Sequence, residues 1–284
     1  MTPTVAASKP PADALLVLPG FGYDRAGERA VRSLAPSLAS EGIDLYLPTF
    51  VSRSGLGESR ERLERFIREN RLNHYERLHV FAFIAGGWTF NPLAEAGVTP
   101  NLSTVVYDRS PYQERAPRIA VQKLPLLTWI RHGPVISDMA RTPYAPLTER
   151  HVRVGLAVET VPTSFIKRFA GSARRLGPYD FACDAFGQRH DDCMYVAMNH
   201  DEVYARFGDL WPEVRAFIRT GRFTSSAIRT PPAAGMLPRG QRRDRANKLS
   251  IRRGASAFQT EGRRETLPAQ AGSHAFIHRL GEGC

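Results

Sequence analysis

Short segments that are apolar on both faces recur along the chain, and stretches with helical spacing separate them. A strand of that kind is stable only where both its faces are covered. The arrangement that satisfies this is a mostly parallel sheet with helices on both sides, an α/β fold. The first run is Ala14-Leu15-Leu16-Val17-Leu18, stopped by the glycine-bearing turn Pro19-Gly20-Phe21-Gly22. Residues 25–41 then carry Ala30, Val31, Leu34 and Leu38 at helical spacing, with Gly42 as the C-terminal cap. Residues 43–47 form a second run, ended by Pro48. Residues 58–70 read as a helix with Leu63, Phe66 and Ile67 on one face. Further strands are predicted at 78–83, 103–107, 151–158 and 194–198. Gly86-Gly87 opens a helix through Trp88 and Phe90, and 211–223 reads as a last helix capped by Gly221.

The rhythm breaks between residues 112 and 149, a long, proline-bearing stretch with a helix predicted around 120–129. It reads as a cap-like insertion between strands, and such insertions cover active sites. Past Thr224, Pro, Gly, Ser, Gln and Arg dominate and apolar periodicity ends. The predicted organisation is a flexible leader at 1–13, one domain at 14–223 and a basic, disordered tail at 224–284. The formal net charge is +11. About two thirds of that excess lies after Arg222, so it describes the tail more than the fold. Nucleic-acid or anionic-surface binding is thereby confined to weak contacts through the tail, where no aromatic is interleaved before Phe258.

Three cysteines, Cys183, Cys193 and Cys284, with no CxxC spacing suggest neither a disulfide scaffold nor a zinc site. Reduced, partly buried thiols are the leading expectation, with a Cys183–Cys193 pair as the alternative. No metal site and no cofactor motif is read. No run approaches the length of a membrane span, and residues 1–13 lack the apolar core of a signal peptide. The default expectation is a cytoplasmic protein.

The order strand, Pro19-Gly20-Phe21-Gly22, helix, strand, helix, strand, Gly86-Gly87, helix resembles the α/β-hydrolase superfamily, and more closely its lipase- and esterase-like branch. The resemblance spans about residues 14 to 223 and rests on four places. In Leu18-Pro19-Gly20-Phe21-Gly22, Pro19 stands where the family usually has histidine, while Gly20 and Phe21 match the turn that helps form the oxyanion hole. Ala82-Phe83-Ile84-Ala85-Gly86-Gly87 matches the nucleophile elbow G-x-S-x-G, with Ala82 for the first glycine, Ile84 for the serine and Gly86 retained. Gly177-Pro178-Tyr179-Asp180 places Asp180 as the acid, and Asn199-His200 after the last strand places His200 as the histidine. Nucleophile position, acid, histidine is the family's chain order.

The resemblance implies a hydrolase-type site with Asp180 and His200, and with Gly20, Phe21, Ala85 and Gly86 shaping the oxyanion hole and elbow. Isoleucine has neither a proton to lose nor a lone pair to attack with. Its β-branch also disfavours a strained elbow backbone. The leading expectation is therefore a protein of this fold that has lost the serine mechanism and binds a small apolar or acyl ligand, or a protein partner, in the old cleft. The alternative is an enzyme in which His200 and Asp180 act on bound substrate or water. In that case Ser110 or Asp108, at the end of the fourth strand, are the substitute groups, although both also suit a simple turn.

Overall fold

The computed structural model describes residues 12–20 and 25–231, all within one compact unit. Residues 1–11, Phe21, Gly22 and the basic tail beyond residue 231 lie outside the described residues. The chain runs β1 (Asp13–Leu18), α1 (Arg25–Arg32), α2 (Ala35–Ser40), β2 (Ile43–Tyr46), α3 (Leu56–Glu69), β3 (Arg77–Ala82), α4 (Ile84–Glu95) and β4 (Leu102–Arg109). Three short helices follow, α5 (Ala116–Lys123), α6 (Pro125–His132) and α7 (Val135–Arg141). The second half is β5 (Arg153–Glu159), α8 (Ser164–Arg168), α9 (Ala170–Arg175), β6 (Asp192–Val196), α10 (His200–Ala205) and α11 (Phe207–Thr220).

The strands form one six-stranded sheet in the order β2-β1-β3-β4-β5-β6, every pair parallel. Both faces are covered. Leu16, Leu18, Val80, Val105 and Leu156 point to one apolar layer, and Leu15, Val17, Phe81, Val106 and Ala157 to the other. This is the period-2 alternation of a strand buried on both sides. The winding direction reverses between β1 and β3, and a ligand crevice in such sheets opens beyond the strand C-termini at that switch.

Prolines explain where the predicted helices divide. The single helix expected over 25–41 is two, because Pro36 sits in the first turn of α2, where its missing N–H is harmless. The helix expected over 120–129 likewise splits into α5 and α6 at Pro125. The strands run past two expected ends. β4 continues through Asp108 and Arg109, and β5 through Glu159, all three fully buried.

The described part of the domain continues past Phe223. Tyr195 N donates to Ile228 O at 2.8 Å, Arg229 pairs with Asp192, and Thr224 Oγ1 donates to Glu213 at 2.6 Å. Cys183 and Cys193 are joined in a disulfide across ten residues, which corrects the expectation of two free thiols. The bond ties the turn Cys183–Phe186 to β6. Among the described residues no helix is long and apolar enough to cross a membrane.

Candidate active site

Because every strand is parallel, the residues that follow β1, β3, β4, β5 and β6 gather at one edge of the sheet. Gly20 follows β1, Ile84 follows β3, Asp108 lies near the end of β4, Glu159 ends β5, and His200 opens α10 after β6. His200 is fixed at the first helical position by a capping box. The Asn199 side chain accepts from Asp201 N and Glu202 N, and Glu202 accepts from Asn199 N at 2.9 Å.

The imidazole reaches back across the sheet edge. Its Nδ1 lies 2.7 Å from Glu159 Oε1 and 3.3 Å from Asp108 Oδ2. Its Nε2 side presses on Gly20, where a Cβ would come within 3.1 Å of Nε2. A side chain at this position would make the histidine give way by a few tenths of an ångström. Burial works against the imidazolium, but Glu159 and then Asp108 outweigh it and hold His200 well above the ordinary imidazole range. Burial, reinforced by the Asp108 carboxylate, pushes Glu159 well above the carboxylate range. Glu159 and His200 therefore titrate as a pair rather than as separate groups.

Asp180, the acid expected from sequence, is not part of this cluster. It is exposed and accepts from Ala182 N at 2.9 Å, shaping the turn that leads to Cys183. The expected Asp180–His200 pair is replaced by Glu159–His200, with Asp108 beside it. The signal for Glu159 was an ionisable residue ending an apolar strand, Val154-Gly155-Leu156-Ala157-Val158-Glu159, at the ligand edge. Ser110 is fully buried, and its Oγ accepts from Gln113 N at 3.1 Å, so it holds the turn after β4.

Ile84 is the first residue of α4 and is almost fully buried. It packs with Ala85, Trp88, Leu56, Val135, Ile136 and Met139 between α4 and the insertion. Among the described residues Arg71 is the only non-glycine with positive φ, so the backbone at Ile84 is not left-handed. Gly86 has a packing role, since a Cβ there would lie 2.7 Å from the Leu18 carbonyl oxygen. Gly87 makes room for the insertion, because a Cβ there would overlap the Tyr144 hydroxyl at 1.6 Å.

Helices α5, α6 and α7 roof a cavity of about 310 Å³. Its floor is Gly20, Ile84, Ala85 and His200, and its roof includes Ala120, Leu124, Leu127 and Met139. The volume is at the small end for a ligand pocket, and the lining is mostly apolar with few polar groups.

No protein-family model and no curated protein sequence matches the chain. Solved structures do resemble it. The mature lipase BlEst2 of Bacillus licheniformis superposes with a TM-score of 0.51 at 12% identity, over 78% of this chain and 96% of that one. Est1E from Butyrivibrio proteoclasticus gives 0.46 at 13% identity, over 74% and 87% of the two chains. Sheet order, the gathering of residues at one sheet edge and the BlEst2 superposition together define an α/β-hydrolase-type fold, lipase- and esterase-like in architecture.

Proposed function

We propose that the protein binds a small apolar or acyl ligand in the cavity beneath α5–α7 and does not perform serine hydrolysis. One observation carries this reading: Ile84 and His200 share a wall of that cavity, with an apolar side chain where the fold carries its nucleophile. The cavity is large enough for a short acyl chain. Its polar end offers hydrogen-bond donors, because the carboxylates behind His200 hold its pKa up and α4 begins there without a side-chain cap. An oxygen-bearing ligand head set against His200 Nε2 and the first turn of α4 fits that polarity, and the roof accommodates an apolar tail. The test is calorimetric titration with short- and medium-chain acyl carboxylates, beside ester hydrolysis and phosphonate labelling. The expected result is saturable acyl binding weakened by His200→Ala, with hydrolysis no faster than in that variant. Ester turnover that requires His200 would overturn it.

A second reading is favoured by the Glu159–His200 hydrogen bond itself. A histidine oriented by a buried carboxylate is a complete acid–base unit without a protein nucleophile. Such an enzyme would protonate its substrate below the raised His200 pKa and act as a base only above it. The reading predicts turnover of some carbonyl substrate that His200→Ala abolishes and Ile84→Val leaves intact. A substrate screen in which every detected activity survives His200→Ala removes it.

A further inference from the structure

A second cavity, of about 380 Å³, lies on the other side of Trp88 and Met139, which line both. Strand alternation creates it. Asp108 and Arg109 are consecutive at the end of β4, so Asp108 faces His200 while Arg109 turns the opposite way. Arg109 is 1% exposed. Its Nε and Nη2 grip the Glu114 carboxylate at 2.6 and 3.1 Å, and its plane lies 4.0 Å from the Tyr144 ring centre and 4.7 Å from that of Phe186. Nη1 has no hydrogen-bond partner among the described residues. A buried guanidinium with an unanswered donor is costly, and such a group calls for a partner.

Two more arginines line the same cavity. Arg115 lies against the Tyr179 ring and donates to the carbonyls of Ala173, Gly177 and Pro178, while Arg118 donates to Ala140 O. Neither guanidinium makes an ion pair among the described residues, and burial pushes Arg115 down. Of the charged lining residues, Arg109, Arg115 and Arg118 face Glu114 and Asp180, an excess of one positive charge.

We propose that this cavity is a binding site for a small oxyanion, a carboxylate or phosphate carried on a short or aromatic body. The oxyanion takes the free Arg109 Nη1 and the Nη atoms of Arg118, Arg115 adds positive charge at the rim, and the body lies against Trp88, Tyr144 and Phe186. Guanidinium planes match both oxyanions in geometry. The site is separate from the acyl cavity and does not depend on the reading given for it.

The experiment is calorimetric titration of the full chain with inorganic phosphate, phenyl phosphate and benzoate. The variants are Arg118→Gln and Arg115→Gln, with thermal melts to show that each is folded. Arg109→Gln removes a buried group and can fail to fold, so the rim arginines carry the test. Leu127→Trp, which narrows the acyl cavity from its exposed roof and does not line this one, is the control. Saturable one-site binding of a probe, weakened about tenfold or more by each rim variant and unchanged by Leu127→Trp, supports the site. Binding by the phosphates alone identifies a phosphate ligand, and binding by benzoate alone a carboxylate. The proposal is overturned by absence of saturable heat with all three probes, by undiminished binding in both rim variants, or by loss of binding in Leu127→Trp.

Discussion

At the scale of single residues, the proposed function turns on two side chains that share a cavity wall. Ile84 stands where the resemblance puts a nucleophile, and it sits on helical backbone that is not left-handed. A serine at this position would therefore lack the sharp turn that thrusts its oxygen out of the sheet edge. Ile84→Ser is expected to leave ester hydrolysis at the level of His200→Ala, with no phosphonate label at residue 84. Labelling there would show that the elbow re-forms. His200 is governed by its carboxylates. Glu159→Gln should lower the His200 pKa, read by NMR of the imidazole C–H, because it removes the 2.7 Å partner and leaves burial opposed by Asp108 alone. Both raised groups bind protons more tightly in the folded than in the unfolded chain. Their stabilisation is complete below the unfolded values and falls as pH rises through the folded ones. For His200 the decline therefore begins above about 6.5. Thermal melts across that window should show a steeper loss in the wild type than in His200→Asn, and parallel curves would contradict the linkage.

Between elements, glycines set how closely neighbours approach. Helix α4 rests on the end of β1 through Gly86 and receives the insertion through Gly87. Gly86→Ala must push a methyl against the Leu18 backbone, which cannot yield, and should cost about 1–3 kcal/mol as an overpacked core contact does. Gly87→Ala should cost less, because Tyr144 can swing aside, and should alter the second cavity, which Tyr144 lines, more than the fold. Gly57, in the first turn of α3, has open space around its Cβ position. Gly57→Ala should stabilise by about 0.4–1 kcal/mol, since it narrows the unfolded ensemble without a clash. Urea titrations of the three variants give the order directly. If Gly86→Ala proves neutral, the close packing of α4 on β1 is wrong. The boundaries of these elements were partly legible. Pro36 and Pro125 mark breaks that any reading of the chain can find, yet periodicity carries a helix across them. The strand ends were harder. Asp108, Arg109 and Glu159 are ionisable residues that sequence patterning assigns to loops, and parallel pairing with β5 and β6 draws them into the sheet.

Across the whole molecule, the Cys183–Cys193 bond joins the β5–β6 connection to the edge strand. Unfolded, unreduced protein should titrate one thiol of its three cysteines, and reduction should release all three. Closing a loop of this length constrains the unfolded chain by about 2–3 kcal/mol, so reduction should lower the melting temperature. Three free thiols without reductant would remove the bond. The sequence by itself determined the class of fold, because runs apolar on both faces require a sheet covered on both sides. It also put Ile84 between a buried strand and Gly86-Gly87, and His200 just after the last strand, where the structure has both residues. Only the tertiary structure decided which acid meets that histidine. Asp180 is the nearer match in sequence, yet it lies exposed on a turn. Glu159 and Asp108 come from strands whose neighbours are fixed by sheet order rather than by chain order. The same cause produced the second cavity: Arg109 is one residue from Asp108 along the chain, and the alternation of a buried strand sends the two side chains to different sites.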